Sequence, residues 1–219
     1  MRLNPLKTSA LMLALATLAC QFLPGGSGSN SSALFEDDFS NNSQGWDERT
    51  SDNAATGYEN NEYSIAVFPT GWYAWANPEG ADLSVSNVHI EVTARNTGTA
   101  TEPGFGVMCA YSSGGDNTYY MGVSTDGYYV IVKTVGGEDT VLSDPESWIP
   151  SDDIPVNAAS YRIGADCANG SLSLSVNGTT LATVEDATFT SGNVGLFVQT
   201  FSESNAEVRF DDYVVTALE

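Results

Sequence analysis

Between residues 34 and 219 runs of apolar side chains at every second position recur, and no window sustains an i, i+3, i+4, i+7 pattern for three turns. Successive side chains on a strand point to opposite faces, so this alternation predicts half-buried strands. Val88, Ile90, Val92 and Ala94 fall on one face, with His89, Glu91, Thr93 and Arg95 on the other. Phe105, Val107, Cys109 and Tyr111 form the next such series. Tyr119, Met121 and Val123 precede the turn signal Thr125-Asp126-Gly127, and Tyr128, Val130 and Val132 follow it; this register puts Tyr120 and Tyr129 on the less apolar side.

A meander over 161–184 is the clearest local structure. Tyr161, Ile163, Ala165 and Cys167 share a face, Asn169-Gly170 turns the chain, and Leu172, Leu174 and Val176 lead to a second turn at Asn177-Gly178 before Leu181. Two-residue Asn-Gly loops suit hairpins because both residues tolerate positive φ. Val194, Leu196 and Val198 continue the series, and Val208, Phe210 and Val214 finish it. The stretch from Asp144 to Trp148 accommodates one local helical turn. Roughly a dozen short strands without crossover helices predict an all-β antiparallel sandwich or jelly roll, one domain over 34–219.

The pattern breaks down before residue 34. Residues 1–20 carry Arg2 and Lys7 ahead of the apolar run Ala10–Ala19. Ten residues cannot span a bilayer, which takes about 20, and the run fits an export signal. Ala19 directly before Cys20 resembles a bacterial lipoprotein signal, in which the cysteine becomes the lipidated N-terminus; Thr17 stands where an aliphatic residue is more usual. Two or three acyl chains, at about 0.8 kcal/mol per buried methylene, anchor stably. The competing expectation is a plain signal peptide and a secreted product. Residues 21–33 include the run Gly25–Ser32, a flexible tether by composition.

Charge narrows the partners. The chain has 28 acidic and 7 basic residues, a net charge of −21, and all the acids lie beyond Cys20. Such a surface repels phosphate backbones, which excludes nucleic acid as a default ligand. A charged fraction of 16% beside 42% hydrophobics argues against disorder. With Cys20 assigned to the anchor, Cys109 and Cys167 remain on core-facing registers. In an oxidising compartment a disulfide is the leading expectation, with two buried thiols the alternative.

Several segments in order resemble a known family: Leu34-Phe35-Glu36-Asp37-Asp38-Phe39-Ser40 with Gly45-Trp46, then Tyr58-Glu59-Asn60-Asn61-Glu62-Tyr63, the Tyr119–Tyr129 hairpin, Leu174-Ser175-Val176-Asn177-Gly178, Gly195-Leu196-Phe197, and Phe210-Asp211-Asp212-Tyr213-Val214-Val215. The set is similar to the concanavalin A-like lectin/glucanase superfamily, more closely its LamG-like and three-keto-disaccharide hydrolase-like jelly rolls. The resemblance implies first and last strands side by side in one sheet, and a concave sheet that binds or cleaves carbohydrate. Where those two strands meet, Asp38 with Asp211 or Asp212 read as solvated surface acids or, in the placement the resemblance supports, as oxygen ligands of a structural calcium.

Catalysis has little material. Hydrolysis of a glycosidic bond uses two carboxyl groups about 5–9 Å apart. The Glu-x-Asp-x-x-Glu strand of laminarinase-type relatives is not found, and adjacent acids point to opposite faces. Sugar binding has more. Trp72, Tyr73 and Trp75 crowd three rings into four residues, and Tyr73 and Trp75 share a face. Tyr120 and Tyr129 join them as candidates, since sugar C–H faces stack on aromatic rings. His89 and Glu91, beside Arg95, are the polar candidates for a groove. The expectation is an exported, lipid-anchored surface domain that binds a glycan without catalysis, reaching the membrane only through its anchor. The competing readings are a glycoside hydrolase of the three-keto-disaccharide type and a structural or protein-binding ectodomain.

Overall fold

A computed structural model describes residues 33–78, 83–112, 114–143 and 147–218. The export signal, Cys20 and the Gly/Ser tether lie outside the described residues, as does most of the Asp144–Trp148 turn. Ser31–Glu219 is one compact unit. Among the described residues there are sixteen strands and no helix. They are β1 (Ala33–Asp37), β2 (Arg49–Thr50), β3 (Ala54–Glu59), β4 (Glu62–Val67), β5 (Tyr73–Ala76), β6 (Val88–Asn96), β7 (Gly104–Tyr111) and β8 (Asn117–Ser124). The series continues with β9 (Tyr128–Val135), β10 (Glu138–Val141), β11 (Ile149–Pro150), β12 (Tyr161–Ala168), β13 (Ser171–Val176), β14 (Thr179–Glu185), β15 (Asn193–Gln199) and β16 (Ala206–Ala217).

Two antiparallel sheets face each other. One runs β14-β13-β12-β6-β16-β4-β3-β2, with β1 also on β16; the other runs β10-β9-β8-β7-β15-β5, with β11 also on β9. The first strand does lie beside the last, Asp37 opposite Tyr213. β16 pairs along its length with β6 and divides its other side between β4 and β1. Val88, Ile90, Val92 and Ala94 bury their alternating face against Phe105, Val107, Tyr119, Met121 and Leu196 from the opposite sheet. The Asn169-Gly170 and Asn177-Gly178 turns both take positive φ at both residues, the backbone that matches strand twist.

The alternation misleads at two places. Tyr129 sits opposite Val123 and Ile131 opposite Met121, so Tyr129 packs against the core and the partly exposed ring is Tyr128. The cause is that β9 is apolar on both faces, with Val130, Ile131 and Val132 all buried, and parity alone cannot say which face is inner. In β16 the register slips between Asp211 and Val214, with Asp212 at φ 50°. This bulge reverses the parity, so Tyr213 and Val215 point inward where Val214 was expected.

Cys109 and Cys167 form a disulfide with Cα atoms 6.6 Å apart, tying β7 of one sheet to β12 of the other. Beside it, Asp186 accepts hydrogen bonds from Tyr119 Oη and Lys133 Nζ, each at 2.6 Å, and from the Thr188 amide. Burial pushes the Asp186 carboxyl up, but the hydrogen bonds from Lys133, Tyr119 and Thr188 outweigh it and hold the group well below the usual carboxylate range. Asp186, Tyr119 and the two bonded cysteines line a cleft of about 500 Å³.

Two measurements check these staples. The disulfide joins residues 58 apart, and chain entropy assigns such a loop about 4 kcal/mol. Cys109→Ser/Cys167→Ser should lower the unfolding free energy in urea by an amount of that order. For Asp186 the folded pKa lies below the unfolded value, so its stabilisation is complete above about pH 4 and is lost as pH falls. Asp186→Asn should therefore lower Tm at pH 7, and the gap from the parent should close below pH 3.

Candidate functional site

The outward face of the seven-stranded sheet carries a cluster of aromatic side chains. It is assembled from residues that alternate with the core set: Tyr73 and Trp75 on β5, Phe197 and Gln199 on β15, Met108 on β7, Thr118 and Tyr120 on β8, Thr134 on β9 and Asp139 on β10. Cross-strand register brings them together, Phe197 opposite Trp75, Gln199 opposite Tyr73, Met108 opposite Tyr120 and Asp139 opposite Thr134. Rings can lie down on this sheet because glycines leave room. A Cβ on Gly122 would stand 2.7 Å from the Phe197 ring, and one on Gly104 would stand 2.7 Å from the Trp148 ring. Phe197 is paired edge-on with Tyr120 at 5.1 Å, and Trp148 with Phe201 at 5.2 Å.

Tyr73, Trp75, Met108, Tyr120, Asp139, Phe197 and Gln199 surround a depression of about 50 Å³. That is room for one or two waters or a single sugar substituent, since water occupies about 30 Å³. Tyr73 and Trp75 stack at 5.4 Å with an interplanar angle of 28°. Tyr73 is 52% exposed, so its ring is available to a ligand. Trp75 is held in place: its Nε1–H donates to Tyr111 Oη at 3.2 Å, and the Arg49 guanidinium lies 5.3 Å over its ring and donates to its carbonyl. Tyr120 Oη donates to Asp139 Oδ2 at 2.8 Å, while Thr134 donates to Asp139 Oδ1 at 2.7 Å. Burial raises the Tyr120 hydroxyl pKa and the Asp139 charge adds to it, so the phenol stays a donor. Tyr73 is raised by burial first and then by Asp139 and Asp116.

Of the residues expected to bind sugar, then, Tyr73, Trp75 and Tyr120 meet in one place. Trp72 is 47% exposed and precedes β5, outside the depression; Tyr129 is turned to the core. His89 and Glu91 lie on the outer face of the other sheet. There His89 Nδ1 is 2.6 Å from Asp166, its Nε2 is 3.5 Å from Glu91, and Arg162 donates to Glu91 at 2.9 Å. Arg95 turns instead to Glu62. Sequence reasoning missed Phe197, Met108, Gln199 and Asp139, which enter from three other strands. The signal for Asp139 was the Gly136-Gly137 turn, which fixes its register against Thr134.

At the β1–β16 edge, burial raises the Asp37 carboxyl pKa, an effect that the Phe39 amide reduces and the Asp38 charge reinforces. Asp37 is 6% exposed and its Oδ2 has no hydrogen-bond partner. It borders a depression of about 330 Å³ with Asp38, Asn41, Gln44 and Asp212. Asp211 feels the Asp38 charge but does not line that depression. Among the described residues no three His, Cys, Asp or Glu side chains converge as a ready-made metal site.

No protein-family model and no curated protein sequence matches the chain. Solved structures do. The carbohydrate-binding module CBM66 from Bacillus subtilis superposes with a TM-score of 0.61 at 15% identity, over 79% of this chain and 96% of that one. A Bacillus subtilis protein of unknown function with a galectin-like fold gives 0.58 at 13%, over 84% and 96%. A Bacillus licheniformis beta-glucanase gives 0.59 at 9%, over 86% and 100%. The fold is an antiparallel jelly-roll β-sandwich. At these identities the likeness speaks for architecture, and function rests on the site.

Gly122 tests the seating of the rings. Gly122→Ala places a methyl 2.3 Å from the Phe105 carbonyl and 2.7 Å from Phe197. It should lower stability by about 1–3 kcal/mol in urea and alter the near-ultraviolet circular dichroism of the displaced rings.

Proposed function

We propose that this chain is an exported surface domain that binds carbohydrate on the outer face of its seven-stranded sheet and does not cleave it. The observation that carries the reading is the stacked Tyr73–Trp75 pair beside a depression walled by Tyr120, Phe197, Asp139 and Gln199. An exposed ring accepts the C–H face of a sugar, and the carboxylate and amide at its side accept and donate to hydroxyls. Asp139 is the one carboxylate among the described residues lining that depression, whereas hydrolysis uses two acting across the bond. The fold neighbours named as a carbohydrate-binding module and a glucanase agree with this class of ligand. A cross-sheet disulfide suits an oxidising compartment, and the Ala19-Cys20 junction supplies the lipid anchor that tethers the domain to the cell envelope. Among the described residues no helix is long and apolar enough to cross a membrane.

Calcium belongs to the same proposal, as a structural ion at the β1–β16 edge. The fit rests on the unpartnered, buried Asp37 oxygen, in a depression it shares with Asp38, Asn41, Gln44 and Asp212. A hard cation with 6–8 oxygen ligands would also draw on backbone carbonyls.

Polysaccharide pulldown and glycan-array binding of the folded domain test the main reading, with Tyr73→Ala expected to weaken binding about tenfold. Absence of binding to any carbohydrate sinks it. For calcium, thermal unfolding with 1 mM added ion (a concentration of the order of the weak extracellular sites) should show a higher Tm than in chelator, and Asp37→Asn should abolish the difference.

A further inference from the structure

The outer face of the seven-stranded sheet has a charge balance that selects among glycans. Beyond Cys20 the chain has five cations, Arg49, Arg95, Lys133, Arg162 and Arg209, against 28 acids. Every one of the five is in an ion pair: Arg49 with Asp47, Arg95 with Glu62, Lys133 with Asp186, Arg162 with Glu91, and Arg209 with Glu59 and Glu207. Arg95, Arg162 and Arg209 lie on β6, β12 and β16, in the other sheet. Lys133 lies on the inward register of β9, opposite Tyr119. Arg49 alone reaches the edge of the aromatic face. Its guanidinium is engaged by Asp47 at 3.4 Å, by the Trp75 carbonyl and by the Trp75 ring. What remains beside the exposed Tyr73 ring is negative: Asp139 in the depression and Asp116 close enough to act on the Tyr73 hydroxyl.

We propose that this face takes uncharged or amino-bearing glycan and rejects polyanionic glycan, with Asp139 as the specificity-determining residue. The inference rests on the carbohydrate-binding reading and adds the ligand class to it. A uronate or sulfate ester arriving on Tyr73 meets the Asp139 carboxylate in the adjoining depression, and the one cation at the edge, Arg49, is already engaged by Asp47 and Trp75. Two like charges at 4 Å repel by about 1 kcal/mol even in bulk water, a factor of about five in affinity, and a polyanion meets this at each residue it lays down. A neutral ring meets only the desolvated aromatic surface and hydrogen-bonding groups. Its binding should accordingly be insensitive to salt, because no charge pair is there to be screened.

The test is a panel of immobilised polysaccharides in three classes, probed with the folded domain in chelator at low salt. The neutral class holds glucans, fructans, xylans, mannans and chitin; the anionic class holds polygalacturonate, alginate and sulfated galactan; the cationic class is chitosan. Binding to one or more neutral or cationic members and none of the anionic ones is the expected result, with affinity for the neutral ligand changing less than twofold between about 0.05 and 0.5 M NaCl. Capture by an anionic member overturns the inference while leaving carbohydrate binding standing. Silence across all three classes overturns both. Asp139→Asn keeps the side-chain shape and should improve binding of a carboxylated oligosaccharide about fivefold relative to its neutral counterpart; an unchanged ratio removes Asp139 from the role. Asp116→Asn, away from the Tyr120 hydrogen bond, repeats the comparison without disturbing that contact.

Discussion

Aromatic rings lie flat against a β-sheet only where the strands beneath them carry no side chains. Gly122 and Gly104 provide those gaps, and the rings of Phe197 and Trp148 occupy the space a Cβ would need. Everything proposed for the outer face follows from this seating. Phe197 supports Tyr120, Tyr120 orients Asp139, and Trp75 beside Phe197 supports the exposed Tyr73. The result is a layer of aromatic side chains on a sheet whose other face already belongs to the core, with the Tyr73 ring exposed on it.

The two outer faces differ in kind. On the nine-stranded sheet, Arg95, Arg162, Arg209 and His89 are interlaced with Glu62, Glu91, Glu207 and Asp166 along β4, β6, β12 and β16. These pairs are partly exposed and individually contribute little to stability. They do gather most of the domain's scarce cations on one side. The aromatic side keeps only Arg49, at its edge and held by Asp47 and Trp75, a segregation that the sum of charges does not reveal.

Much of the fold was legible in the alternation of apolar residues, because a half-buried strand must repeat with period two. The Asn-Gly turns and the Cys109–Cys167 bond were legible for similar local reasons. Legibility failed where two faces were both apolar, as at Tyr128–Val132, and where a bulge without glycine inverted the parity, as at Asp211–Asp212. Aspartate tolerates positive φ well enough to hide such a bulge. In the site, Tyr73 and Trp75 were readable from their spacing on one strand. Asp139, Met108 and Phe197 were not, since their proximity depends on three separate strand pairings. His89 and Glu91 looked like partners for the aromatics only because sequence does not say which of two sheets a face belongs to.

The position of β16 bears on how the chain reaches its final form. Between β6 on one side and β4 and β1 on the other, it is the seam that joins two otherwise separate groups of strands. Until residues 206–217 are delivered, β1–β4 and β6 have no common neighbour, and the sandwich cannot close. Closure of the nine-stranded sheet therefore waits on pairings between segments far apart in the chain, β16 with β6, β4 and β1. Long-range pairing of this sort folds slowly, because the entropy of closing the intervening loops is lost before the contacts form.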